Sequence, residues 1–103
     1  MSAPFIHPQA LVETDRIGDD TRIWAFAHVM PDVTIGSGCN IGDHAFIESH
    51  VRLGNNVTVK NGVSIWEHVD IADNVFVGPN AAFTNDRFPR NPRRDSKADA
   101  TSI

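Results

Sequence analysis

Apolar residues return along this chain at every sixth position: Phe5, Leu11, Ile17, Ile23, Val29, Ile35, Ile41, Ile47, Leu53, Val59, Ile65, Ile71, Val77 and Phe83. With 41% of the residues hydrophobic, such an unbroken series arises by chance with a probability on the order of 10⁻⁵ to 10⁻⁶. A period of six fits neither the 3.6-residue helix nor plain strand alternation. It marks short parallel strands joined by tight corners, with three strands to a coil of about eighteen residues. The pattern predicts an all-β fold, a left-handed parallel β-helix of hexapeptide repeats. From Phe5 to Phe83 that makes between about four and five triangular coils.

The residue two before each repeat position is small or β-branched: Ala27, Val33, Cys39, Ala45, Val51, Val57, Val63, Val69, Val75 and Ala81. Alternation along a strand puts both positions inside. Gly, Asn, Asp and Ser gather at the corners, as turns with positive φ or local side-chain hydrogen bonds require. Gly18, Gly36, Gly42, Gly54 and Gly78 directly follow inward residues. Cys39 is expected to be a small core residue rather than a nucleophile.

Residues eighteen apart share a column, so the three faces can be sorted. One face directs Val12, His28, Met30, Phe46, Ser64 and Trp66 outward, an apolar wall that calls for a partner. A second exposes Arg16, Thr34, Arg52 and Asp70 and is solvated. The third, with Arg22, Trp24, Asn40, Lys60 and Phe76, is mixed. A prism with one apolar wall suits a homotrimer.

The repeats run through residues 1–84, and residues 85–103 form a basic loop and a polar C-terminal segment. Those last residues are too polar to cap an open coil, so truncation, or closure by another subunit or domain, is expected. A net charge of −4 gives no support to nucleic-acid binding. One cysteine excludes an internal disulfide. The sequence has no apolar run of membrane-spanning length and no leader pattern, so no membrane association and a cytoplasmic location are expected.

The corner after the solvated face carries Asp19, Asp20, Ser37, Gly38, Asn55, Asn56, Asp73 and Asn74, which is turn chemistry throughout. The corner after the apolar wall differs. There His50 and His68 stack on neighbouring coils, Asn85 lies one coil beyond Glu67, and Asp86 one coil beyond His68. Beyond Asn85 the phase is lost, in a stretch that includes Arg87, Arg90, Arg93 and Arg94. Arginine forks match phosphate geometry, while a solvated basic tail is the structural alternative. The histidines also raise a metal reading. Hexapeptide-helix carbonic anhydrases hold zinc with three histidines between subunits. One column supplies only two histidines here, a neighbouring subunit would have to give the third, for which its His28 is available, and no metal is expected.

The strings Ile6-His7-Pro8, Thr21-Arg22-Ile23-Trp24, His28-Val29, Val59-Lys60-Asn61-Gly62-Val63-Ser64-Ile65, Gly78-Pro79 and Phe83-Thr84-Asn85-Asp86-Arg87-Phe88-Pro89-Arg90 resemble the hexapeptide-class nucleotide-sugar N-acetyltransferases. Within these, the 3-amino-deoxysugar subgroup is the nearest. The resemblance extends to about Arg94 and corresponds to the family's N-terminal part, since family members continue with further coils. It implies acetyl transfer from acetyl-CoA to the amine of a UDP- or dTDP-linked amino sugar, in O-antigen or S-layer glycan synthesis. It also implies a homotrimer with active sites between subunits. Asn85 would hydrogen-bond the sugar amine, and Arg87 and Arg90 would hold a pyrophosphate or a CoA phosphate. Glu67 and His68, beneath Asn85, are candidates for orienting or polarising the amine, with Asp86 and His50 as further substrate contacts. The non-enzymatic alternative is a short trimeric β-helix that binds a nucleotide sugar or only assembles.

Overall fold

The computed structural model describes residues 2–78 and, beyond them, the strand backbones at Ala82–Phe83 and Thr101–Ser102. Every described element is a short strand, and every pairing is parallel. The first sheet stacks β1 (Phe5–Ile6), β3 (Arg22–Ile23), β6 (Asn40–Ile41), β9 (Thr58–Val59) and β12 (Phe76–Val77). The second stacks β2 (Leu11–Val12), β4 (His28–Val29), β7 (Phe46–Ile47), β10 (Ser64–Ile65) and β13 (Ala82–Phe83). The third stacks β5 (Thr34–Ile35), β8 (Arg52–Leu53), β11 (Val69–Ile71) and β14 (Thr101–Ser102). The chain visits the three sheets in turn, which is the expected left-handed β-helix of hexapeptide repeats. No helix among the described residues is long and apolar enough to cross a membrane.

The inward pairs are where the alternation puts them. Ala27 and Val29, Val33 and Ile35, Cys39 and Ile41, Ala45 and Ile47, and their counterparts as far as Val69 and Ile71, are buried in one continuous core. Thr21 takes an inward position with a polar side chain. Its hydroxyl donates to the Gly36 carbonyl at 2.7 Å and accepts from the Cys39 N–H at 3.1 Å, so the polar atom is not left unpaired.

The first coil departs from the expected phase. Phe5 and Leu11, expected inside, face outward and are 43% and 54% exposed. Their neighbours Ile6 and Val12 are in register with Ile23 and Val29, a step of seventeen residues rather than eighteen. Ile17 is again eighteen residues from its partner Ile35. The corner between Val12 and Ile17 is therefore one residue short. Val12, expected on the outer wall, instead packs with Ala10 against the core.

The corners have one geometric rule. From Asp20 to Asn74 every sixth residue is left-handed: Asp20, Phe26, Asp32, Gly38, His44, His50, Asn56, Gly62, His68 and Asn74, with φ between 58° and 75°. These are the third places of tight turns, and a positive φ there is what a type II turn demands. The glycines directly after inward residues serve another purpose. A Cβ on Gly54 would lie 2.7 Å from the Asp73 backbone nitrogen and would also meet the Asp73 carboxylate. Coil-to-coil contact, rather than positive φ, excludes a side chain there. The Asp73 carboxylate accepts the Asn55 N–H at 2.8 Å, and the Asn55 amide oxygen accepts the Ser37 N–H at 2.9 Å, a ladder up the solvated corner.

The segment after Phe83 returns to the solenoid. Thr101 and Ser102 pair with Val69 and Asp70. The third sheet thus gains a strand thirty-two residues on, where an unbroken repeat would have placed it after eighteen. The intervening residues, 84–100, lie outside those described.

Candidate functional site

The corner between the second and third sheets joins β7 to β8 through Ser49 and His50, and β10 to β11 through Glu67 and His68. In the upper turn the Val69 N–H donates to the Trp66 carbonyl at 3.3 Å. His68 takes the left-handed place with φ of 69°, and His50 repeats it one coil below at 67°. Each side chain therefore leaves a conformationally fixed backbone in the same direction. The two imidazoles stack with centroids 5.1 Å apart and planes 5° from parallel.

Glu67 reaches a nitrogen of each ring. Its Oε2 lies 3.4 Å from His50 Nδ1 and 3.7 Å from His68 Nε2. The other ring nitrogen of His50 faces Asp32 Oδ2 at 3.8 Å. The backbone around the acid is held as well, since the Glu67 N–H donates to Glu48 Oε1 at 2.9 Å. Roughly half of each side chain in the trio is open to solvent, at 51% for His50, 43% for Glu67 and 38% for His68. Exposed ion pairs of this kind contribute only about 0–1 kcal/mol to folding. The cluster is thus not explained by stability. It presents one carboxylate and two imidazoles to whatever lies beside the corner: a set that can accept a proton, orient a polar ligand or ligate a metal.

Of the residues expected in the site, Glu67, His68 and His50 come together. Asn85, Asp86, Arg87 and Arg90 lie outside the described residues. Asp32 and Glu48 are the additions. Asp32 is one eighteen-residue step before His50, so the column contains it. Glu48 acts through a side-chain-to-backbone bond that no periodicity encodes.

The remaining aromatic and histidine candidates are engaged elsewhere. His28 Nε2 sits 2.8 Å from Glu13 Oε1, and its ring packs on Phe46 at 5.4 Å. It does not join the His50–Glu67–His68 set of its own chain. Trp24 donates its Nε1–H to Asn40 Oδ1 at 2.8 Å and packs against Phe5 at 5.3 Å. His44 stacks on Phe26 at 5.1 Å. Cys39 lies in the core with Sγ 3.1 Å from the Gly54 carbonyl. Burial pushes its thiol up from the ordinary value, which keeps it protonated and inert, as expected of a core cysteine.

Comparison with known proteins agrees with this architecture. The profile of the bacterial transferase hexapeptide family, six repeats, matches residues 16–49 and 50–85, well over half of the chain. A curated relative, the dTDP-3-amino-3,6-dideoxy-alpha-D-galactopyranose 3-N-acetyltransferase of Aneurinibacillus thermoaerophilus, is 62% identical over 37 residues. The matched stretch covers 36% of this chain and 19% of that relative's length.

Proposed function

The chain belongs to the bacterial transferase hexapeptide family, and from that premise we propose that it serves an acetyl-CoA-dependent N-acetyltransferase. The acceptor is the amino group of a UDP- or dTDP-linked amino-deoxy sugar, used in building a surface polysaccharide such as an O-antigen or S-layer glycan. The observation that carries the reading is the Glu67–His68–His50 corner, in a chain whose matched stretch is 62% identical to a sugar-nucleotide 3-N-acetyltransferase.

In this reading the sugar amine attacks the thioester carbonyl carbon of acetyl-CoA. The C–N bond forms, the C–S bond breaks, and the ammonium proton passes to the departing sulfur. Glu67 and His68 orient and polarise the amine, Asn85 hydrogen-bonds it, and Asp86, Arg87, Arg90 and His50 hold the rest of the substrate. Acetyl transfer to an amine draws on no metal. The apolar wall of Leu11, Phe46 and Trp66 is assigned to contacts within a homotrimer, because large apolar side chains are costly to leave in water. The reaction belongs to the cytoplasm, with neither membrane nor nucleic acid as partner.

A second reading takes the chain as a non-catalytic trimeric β-helix that binds a nucleotide sugar or only assembles. It is favoured by the short share, 19%, of the relative that the match covers. The test is release of CoA thiol with dTDP-3-amino-3,6-dideoxygalactose as acceptor, in wild type and in Asn85→Ala and Glu67→Gln. Turnover that falls by about 10²-fold or more in the variants, with the assembly intact, supports the transferase. Undiminished turnover in both removes these residues from the site.

A further inference from the structure

The His50–Glu67–His68 corner, assigned above to the substrate, offers a second chemistry, and an ion held there would compete with the amine for Glu67 and His68. One donor atom from each residue lies within 4.8 Å of the other two. We propose that His50 Nδ1, Glu67 Oε2 and His68 Nε2 form a binding site for a borderline divalent transition-metal ion, with zinc as its representative.

The distances carry the argument. Zinc bonds to imidazole nitrogen and carboxylate oxygen are about 2.0–2.2 Å long, so the edges of a tetrahedral site run to roughly 3.3–3.5 Å. Two of the three edges here are already close to that, at 3.4 and 3.7 Å. The two rings stack face to face, so one exposed imidazole must turn out of the stack before both ring nitrogens can reach the same ion. Two imidazoles and a carboxylate are donors suited to zinc, copper or nickel rather than magnesium or calcium. Three protein ligands leave a fourth position for water.

Two further features point the same way. Asp32 faces Nε2 of His50, the ring nitrogen turned away from Glu67. At 3.8 Å the pair is not hydrogen-bonded, and Asp32 contributes negative charge beside the site. The backbone also does not require histidine at these corners. The equivalent left-handed places of the solvated corner hold Asn56 and Asn74, and asparagine meets that conformation at least as well. Sequence reasoning counted only histidines and found two per column. The third ligand is the carboxylate one residue before His68, which lies within 3.4 and 3.7 Å of a nitrogen of each ring.

The site is tested with the metal alone, so the outcome does not depend on any transferase activity. Zn²⁺ is titrated calorimetrically into the full chain in a non-chelating buffer near neutral pH, and Co²⁺ binding is followed by visible absorption. The variants are His50→Asn, His68→Asn and Glu67→Gln. Asparagine keeps the left-handed backbone, and a melting curve for each variant confirms the fold. The expected result is one ion per chain, with affinity lowered about tenfold or more in each variant, and cobalt absorption lost in the His50→Asn/His68→Asn double variant. No zinc binding by wild type, or binding that the three variants leave unchanged, overturns the proposal. Either would leave the trio as histidine–glutamate ion pairs only.

Discussion

The imidazoles of His50 and His68 stack 5.1 Å apart and 5° from parallel, because each occupies the left-handed place of a turn and the turns repeat coil by coil. Backbone conformation and side-chain chemistry are therefore separable at these positions. His68→Asn is expected to keep the stability of the wild type. His68→Val forces a β-branched residue to a φ near 69° and is expected to cost about 1–2 kcal/mol. Denaturant unfolding of the two variants checks this, and equal stability would show that the corner is less constrained than its geometry indicates.

The short first corner makes a distinct prediction. Val12 packs against the core, whereas Leu11 faces outward. Val12→Asp should lower unfolding stability by about 1–3 kcal/mol, and Leu11→Asp by clearly less. Thermal melts of both at equal concentration decide it. The reverse order would restore the unbroken six-residue phase.

That slip also shows how far the sequence could be read. From Ile17 to Val77 only one phase puts apolar residues inside, because the alternative positions hold residues such as Arg22, Thr34, Asn40 and Arg52. At the first coil both phases are apolar: Phe5 or Ile6, Leu11 or Val12. Continuity of period then favours the wrong one. The return of Thr101–Ser102 to the third sheet was hidden for a different reason, since no repeat connects those two residues to Phe83. In the site, the eighteen-residue step placed His50, His68 and Glu67 on one corner. Whether Glu67 points away from the rings or toward their nitrogens depends on turn geometry, which the period does not encode.

Gly54 has no room for a side chain. An added Cβ would meet the Asp73 backbone and break the bond from Asn55 N–H to the Asp73 carboxylate. Gly54→Ala is expected to destabilise by about 1–3 kcal/mol, read as a lowered denaturant midpoint. A neutral substitution would mean that the coils can separate locally at little cost.

Cys39 should resist alkylation. Burial holds its thiol protonated at neutral pH, and the thiolate is the reactive form. Iodoacetamide labelling is expected to be negligible in the folded chain and to rise with denaturant along the unfolding curve. Rapid labelling under native conditions would mean that the core opens around the third coil.

The central claim is tested most directly by calorimetric titration of acetyl-CoA and of a dTDP-linked 3-amino sugar into the purified full chain at known mass in solution. The account predicts a trimer that binds both, with the sugar nucleotide weakened at least about tenfold by Glu67→Gln. A chain that binds neither ligand contradicts it, and one that binds the sugar nucleotide alone supports the non-catalytic reading instead.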